Sequence, residues 1–174
     1  GVEFDIRLTK DEEFIINHDP LYKNNLISET KINVLKKIGL DSLEDVLNKV
    51  KTKKIIMIEV KTDGKNIKLL SKKLHKVLKR YNLNIYLCSF NYDLIKYYSK
   101  KYNIKSGLII GKIINAKHIK NEFNFNSISY KYKGNIPSKK TFRWTINDPR
   151  KITSKDENII TDSPKLIYDY MKNL

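Results

Sequence analysis

The sequence predicts an α/β protein built on a parallel β-sheet. Short runs of β-branched and aromatic residues alternate with longer amphipathic segments, which is the pattern of strands connected by helices. Seven such strands are expected, at Glu3, Ile55, Ile85, Gly107, Ser127, Thr141 and Ile159. The 174 residues contain no internal repeat, low-complexity segment or Gly- and Ser-rich linker, so a single domain over residues 1–174 is expected.

The first strand carries the most informative polar pattern of the chain. Glu3 and Asp5 alternate with apolar residues, so their carboxylates project from the same face of the strand. A polar turn at residues 9–12 follows, and a second apolar run then leads to His18 and Asp19. Two carboxylates on one face, with a histidine brought back near them, indicate a functional site rather than a packing surface.

The segments between the strands are predicted to form an outer layer of helices. Residues 21–39 are irregular and contain one short helix. Ser42 is the predicted N-cap of the next helix, with Asp45 three residues later as in a capping box. Residues 65–81 place apolar side chains on one face and lysines on the other. Ser163, which is followed by proline, is the predicted N-cap of the closing helix. Another helical stripe consists of Leu94, Ile95, Tyr98 and Tyr102.

A further candidate acid ends the predicted strand at residues 55–60. Glu59 follows an apolar run, and Lys61 lies two residues later, so both side chains project from one face. Converging carboxylates without a thiol or imidazole ligand favour a hard divalent cation, Ca²⁺ or Mg²⁺. The alternatives are that Glu3 and Asp5 only pair with surface lysines, and that Lys61 only forms a salt bridge at the rim.

Composition constrains the partners less sharply. The net charge of +16 favours anionic partners, namely phosphodiesters, nucleic acid or acidic membranes, but the lysines are spread over the chain as on an ordinary solvated surface.

The single Cys88 excludes a disulfide framework and is predicted to be a small core residue. No apolar stretch reaches the roughly 18 residues of a membrane span. No signal peptide is visible, and a cytoplasmic location is the expectation.

Two other histidines and one basic segment are assigned structural roles. His75 lies among polar helix positions and is predicted to be on the surface. His118 has no acidic or thiol partner at ligand spacing and is predicted to be structural or exposed. Residues 131–133 alternate lysine and tyrosine, which could contact a nucleic acid backbone, although a loop at the rim of the sheet is the favoured interpretation.

Several motifs, taken in chain order, resemble the glycerophosphodiester phosphodiesterase family. They are Glu3-Phe4-Asp5, Thr9-Lys10-Asp11, His18-Asp19 and Ile58-Glu59-Val60-Lys61, with weaker similarity at residues 42–47, 88–90, 144–147 and 160–164. The resemblance covers almost the whole chain. It implies a TIM (β/α)8 barrel and metal-dependent hydrolysis of glycerophosphodiesters, in lipid metabolism, to glycerol 3-phosphate and an alcohol. The implied partner is therefore a small-molecule phosphodiester.

The resemblance also implies roles for individual residues. The implied ligands of a divalent cation (Ca²⁺ or Mg²⁺) are Glu3, Asp5 and Glu59. Lys61 is implied as a catalytic and substrate-binding positive charge, and His18 as one of two histidines that transfer protons. Trp144 would stand at the mouth of its strand and bind the substrate alcohol, although a core or rim aromatic is an equal alternative.

The start of the family pattern is not found in the chain. The family opens with a strand that ends in His-Arg-Gly and with a helix, whereas this chain starts at Glu3-Phe4-Asp5. The expected fold is therefore a barrel incomplete at its N-terminus, with strand 1 and helix 1 absent and with open sheet edges. Two other functions stay open: a catalytically inactive relative that acts as a binding or scaffold module, and a basic nucleic-acid-binding domain.

Overall fold

The computed structural model of the protein describes residues 1–111, 123–134 and 140–174. The strands are β1 (Val2–Leu8), β2 (Phe14–Ile16), β3 (Leu21–Tyr22), β4 (Asn25–Leu26), β5 (Ile56–Val60), β6 (Ile85–Ser89), β7 (Lys105–Ile110), β8 (Phe125–Ser129), β9 (Lys140–Trp144) and β10 (Asn158–Ile159). The α-helices are α1 (Ile32–Lys37), α2 (Leu43–Lys49), α3 (Ile67–Leu78), α4 (Tyr92–Lys101) and α5 (Pro164–Lys172). No helix in the described ranges is long and apolar enough to cross a membrane.

The large sheet has the order β10-β9-β8-β7-β6-β5-β1-β2. Every neighbouring pair from β10 to β1 is parallel, and helices connect several of them, so the predicted parallel α/β architecture is confirmed. In the described part of the chain, β1 and β10 do not pair with each other. The sheet is thus a (β/α)8 barrel that is incomplete between these two strands.

The hairpin β1–β2 covers half of one sheet edge. The short strand β2 pairs antiparallel with β1 over residues 6–8 of β1. Ile15 of β2 is fully buried and packs with Ile27 and Leu35 under the segment that contains α1. The second apolar run of the sequence therefore closes a hairpin, and it shields the C-terminal part of the edge that was predicted to be open.

Two layers of core lie on the two faces of the sheet. The layer beneath the helices consists mainly of aliphatic side chains, and it includes Ile6 of β1, Ile58 of β5 and Leu74 of α3, all fully buried. Burying one such side chain contributes about 1.5–3 kcal/mol. The inner layer is formed by Met57, Tyr86, Cys88, Ile109, Phe125 and Phe142. Cys88 is buried here, as the sequence predicted.

Of two helix caps predicted from the sequence, the structure confirms the one at Ser42 but not the one at Ser163. The Ser42 hydroxyl accepts a hydrogen bond from the Asp45 amide, and the Asp45 carboxylate accepts one from the Ser42 amide, so the capping box is complete. Hydrogen bonds from Lys36 and Ser42 lower the pKa of Asp45 to about 2. Pro164 opens α5 as predicted, but the Ser163 side chain makes no capping hydrogen bond.

Some predicted boundaries and environments are corrected by the structure. Strand β8 begins at Phe125 rather than Ser127, because Phe125 pairs with both Gly107 and Lys140. The His75 ring is half-buried rather than on the surface, and it stacks on Tyr102 with the ring centroids 4.0 Å apart. His118 lies outside the described residues.

The β1–β2 turn offers a test of backbone strain at Glu12. This residue has φ +62, a conformation that costs a residue with a Cβ about 1–2 kcal/mol. Its carboxylate also pairs with Lys73 at 2.7 Å. Glu12→Gly and Glu12→Ala both remove this ion pair and differ only at Cβ. We expect the glycine variant to be more stable by about 1 kcal/mol in urea unfolding. Equal stabilities would contradict the strain.

Candidate metal centre and active site

The register of β1 and β5 brings the predicted acids together. Asp5 pairs with Glu59 across the two parallel strands, and Glu3 pairs with Met57 two residues earlier on each strand. One carboxylate oxygen from each of Glu3, Asp5 and Glu59 lies within 4.8 Å of the others. These three residues, here called the carboxylate cluster, are the group in the described ranges that could hold a metal ion.

The placement of Glu3 differs from the expectation in one respect. In a parallel barrel the site residues are expected at the C-terminal ends of strands. Glu59, the fourth residue of the five-residue strand β5, lies there, whereas Asp5 is the central residue of the seven-residue strand β1. Glu3 is the second residue of the seven-residue strand β1. Strand β1 runs on into the β1–β2 hairpin, so Glu3 approaches the cluster from the layer below Asp5.

Lys61 balances part of the charge of the cluster. Its ammonium lies 2.8 Å from Asp5 Oδ1 and also donates a hydrogen bond to Glu59 Oε1. The side chains of Lys61, Asp5 and Glu59 are only 15%, 15% and 12% exposed. Burial alone would lower the pKa of Lys61, but the hydrogen bonds to Asp5 and Glu59 raise it. The lysine therefore stays charged, and one cation faces three acids.

The carboxylates carry an electrostatic penalty that a cation would relieve. The Glu3 side chain is still partly accessible to solvent, but burial of its carboxylate raises its pKa to about 7, with further contributions from the negative charges of Asp5 and Glu59. Burial also raises the pKa of Glu59, against the opposing effect of Lys61. A divalent cation would offset this crowding of negative charge, and the donor set of carboxylate oxygens suits Ca²⁺ or Mg²⁺. The residues present therefore fit such an ion.

His18 follows β2 by two residues, and β2 pairs with β1, the strand that carries Glu3 and Asp5. Its side chain is 73% exposed, and its Nδ1 lies 2.8 Å from Asp19 Oδ1. Within the described part of the chain, Nε2 has no hydrogen-bond partner. The geometry thus holds one ring nitrogen on a carboxylate, and imidazole is a side chain that titrates near neutral pH.

Trp144 contacts a second aromatic residue, Phe90, which in turn lies next to Lys61. Trp144 ends β9, and its ring meets Phe90 edge to face with the centroids 6.0 Å apart. Phe90 follows β6, is 48% exposed, and has the Lys61 ammonium 6.0 Å from its ring centroid. In the sequence, Phe90 falls in one of the weaker motif matches, at residues 88–90. Its position directly after a buried strand was the signal that could have singled it out.

Two further polar residues near the site had no signal in the sequence. Arg7, on β1, contacts the His18 backbone and the carboxylate of Asp63, which lies in the loop after β5. Arg7 shares the face of Glu3 and Asp5, but an arginine at this position gives no sign in the sequence that it is buried or that it contacts His18.

Comparison with solved structures identifies the fold. A glycerophosphodiester phosphodiesterase from Parabacteroides distasonis superposes with a TM-score of 0.80 and 18% identity, over 99% of this chain and 84% of that one. The chain has the glycerophosphodiester phosphodiesterase fold. A Thermotoga maritima glycerophosphodiester phosphodiesterase gives a TM-score of 0.73 and 22% identity, over 97% of this chain and 84% of that one. No protein-family model and no curated protein matches the sequence.

One further structure shows a phosphodiesterase of this fold with a bound product. The Oleispira antarctica phosphodiesterase, solved in complex with sn-glycerol-3-phosphate, has a TM-score of 0.78 and 18% identity, over 98% of this chain and 84% of that one. At such identities the likeness concerns the fold. The predicted resemblance to glycerophosphodiester phosphodiesterases is therefore confirmed for the architecture, and the roles of Glu3, Asp5, Glu59, Lys61, His18 and Trp144 stay predictions.

Proposed function

We propose that this protein is a phosphoric diester hydrolase that cleaves glycerophosphodiesters to glycerol 3-phosphate and an alcohol. The observation that carries the proposal is the carboxylate cluster with Lys61, placed on adjacent strands of a sheet with the glycerophosphodiester phosphodiesterase fold. In barrels of this class, active sites lie at the C-terminal face of the strands. Asp5, Glu59 and Lys61 approach that face together.

The cluster is proposed to hold a divalent cation, Ca²⁺ or Mg²⁺, through Glu3, Asp5 and Glu59. When bound, such an ion supplies a Lewis acid that polarises a phosphoryl oxygen. Lys61 adds a fixed positive charge for the phosphate, since its ammonium is already oriented by Asp5 and Glu59. A preoriented charge costs little reorganisation when negative charge develops on the phosphoryl group.

His18 is proposed to transfer a proton at Nε2. Cleavage of a phosphodiester requires that a hydroxyl lose a proton as it attacks and that the leaving alkoxide gain one. The Asp19 carboxylate holds Nδ1 and so orients the ring for one of these transfers. The other histidine within the described ranges, His75, lies on α3, where its ring stacks on Tyr102 at the end of α4.

The aromatic pair Phe90 and Trp144 is proposed to contact the alcohol part of the substrate. The exposed Phe90 ring borders Lys61, so an alcohol attached to a phosphate near Lys61 would lie against it. The bound product of the Oleispira antarctica phosphodiesterase, sn-glycerol-3-phosphate, is the product expected from this chemistry.

Hydrolysis of glycerophosphocholine, followed by ³¹P NMR, tests the proposal. The expected result is release of glycerol 3-phosphate and choline in the presence of Ca²⁺ or Mg²⁺, and no release after chelation. Release of phosphocholine would contradict the assigned bond cleavage. Metal binding without turnover would indicate the alternative binding or scaffold module. Binding of RNA or DNA with a steep salt dependence, without turnover, would favour the nucleic-acid-binding alternative.

A further inference from the structure

Arg7 is a buried cation whose hydrogen bonds are directed at the His18 segment. It occupies the next inward position of β1 after Glu3 and Asp5, and it is only 7% exposed. Arginine is rarely buried without a partner for its charge. The hydrogen-bond partners of Arg7 therefore indicate what this buried charge does in the protein.

The guanidinium group uses both of its edges. Nε and Nη2 donate to the same acceptor, the His18 carbonyl oxygen, at 3.0 and 2.6 Å. Nη1 donates to the carboxylate of Asp63. The hydrogen bonds thus connect β1 to the peptide group of His18, and not merely to another charged side chain.

Asp63 fixes Arg7 from the loop that follows β5, the strand that carries Glu59. It lies two residues beyond Lys61, in a turn closed by a hydrogen bond of 2.8 Å from the Lys65 amide to the Thr62 carbonyl. The Asp63 side chain is 25% exposed. The charge pair Arg7–Asp63 therefore links the ends of β1 and β5 with the histidine segment.

Few other contacts tie this segment to the sheet. The Asn17 amide donates to the Asp5 carbonyl at 3.2 Å, and the Asn17 side chain donates to the Asp19 carbonyl at 2.7 Å. The exposed His18 ring has its contact with Asp19 alone among the described residues. Arg7 is thus the side chain that anchors the backbone of His18 itself.

We infer that Arg7, braced by Asp63, is a positioning residue that sets the place of His18 relative to the carboxylate cluster. This inference rests on the proposed function, in which His18 transfers a proton. A displacement of about 1 Å at a catalytic group can lower a rate by about 10²-fold. Arg7 acts through His18 and needs no contact with the substrate.

The substitution Arg7→Lys isolates this role. Lysine keeps the positive charge near Asp63 but cannot donate two hydrogen bonds in the fixed geometry of the guanidinium fork. We expect kcat to fall by about 10- to 100-fold, with KM and the metal Kd changed by less than about twofold. Arg143→Lys is the matched control, since Arg143 is also part-buried and pairs with a carboxylate, Glu157, at 2.7 Å. This control is expected to leave kcat unchanged.

A double-mutant cycle with His18→Ala distinguishes positioning from general destabilisation. If Arg7 acts through His18, Arg7→Lys has no further effect on kcat when the imidazole is absent. An equal loss of kcat in the His18→Ala background would overturn the inference. A parallel loss of metal affinity in Arg7→Lys would also overturn it, because the arginine would then act on the carboxylate cluster.

A measurement independent of turnover separates this inference from the proposed function. The ¹H–¹³C resonances of the His18 imidazole are recorded at one pH in the wild type, in Arg7→Lys and in Arg143→Lys. We expect them to shift or broaden in Arg7→Lys, with the His75 resonances unchanged. If the wild type hydrolyses no glycerophosphodiester, the proposed function fails, and this spectrum still tests the positioning. Unaltered His18 resonances in Arg7→Lys would overturn the inference.

Discussion

Replacing Glu59 with glutamine is expected to abolish divalent-cation binding and to lower kcat by at least about 10³-fold. Coordination of a phosphoryl oxygen by a metal is worth several kcal/mol, and each 1.36 kcal/mol corresponds to about a factor of ten in rate. Glutamine preserves the size of the side chain but removes one negative charge from a cluster in which Glu59 is only 12% exposed. Metal affinity is measured by calorimetric titration, and kcat with glycerophosphocholine.

The stability of the Glu59→Gln variant separates function from folding. Lys61 keeps its ion pair with Asp5 at 2.8 Å, and the loss of one anion lessens the repulsion among the acids. We therefore expect the free energy of unfolding to fall by no more than about 1 kcal/mol. Glu44→Gln is the matched control, because Glu44 is an exposed carboxylate on α2 that pairs with Arg80. Unchanged metal affinity in Glu59→Gln would show that the cluster is not the metal site.

Replacing His18 with alanine is expected to lower kcat by about 10²- to 10⁴-fold, the usual contribution of one acid–base group. The metal Kd should stay the same, since the imidazole is not among the three ligands of the cluster. The free energy of unfolding should also change little, because the side chain is 73% exposed. Steady-state kinetics, metal titration and urea unfolding of one sample measure all three quantities.

His75→Ala provides the control for this prediction. The His75 ring stacks on Tyr102, and its pKa is lowered by burial and by the charge of Lys79, so its role is in packing. This variant is expected to lose stability and to keep kcat. The opposite result, a loss of kcat in His75→Ala and normal turnover in His18→Ala, would reverse the assignment of the two histidines.

Most of the architecture could be predicted because it depends on periodicity. Apolar runs of five or six residues marked β5 and β6, and the two-residue spacing of Glu3 and Asp5 placed their carboxylates on one face. The predicted start of β8, Ser127, is two residues later than the observed start at Phe125. The reason is that Asn126, Ser127 and Ser129 are buried polar residues that resemble a loop in sequence. Such buried polar residues weaken the apolar pattern by which a strand is predicted from sequence.

The site could be predicted only where neighbouring residues define it. Glu59 and Lys61 are two residues apart, so their shared face follows from strand geometry alone. The contact of Arg7 with Asp63 joins residues 56 positions apart, and it depends on the register that pairs β1 with β5. The meeting of Phe90 with Trp144 likewise depends on the curvature of the sheet. Neither contact leaves a pattern along the chain.

The central claim is that a cation held by the carboxylate cluster is required for phosphodiester hydrolysis. The most direct test titrates Ca²⁺ and Mg²⁺ into the chelated protein and records metal occupancy and release of glycerol 3-phosphate from glycerophosphocholine in the same samples. The claim predicts that turnover rises in proportion to occupancy and that both are absent in Glu59→Gln. Turnover that persists in the metal-free protein, or that survives in Glu59→Gln, would contradict it.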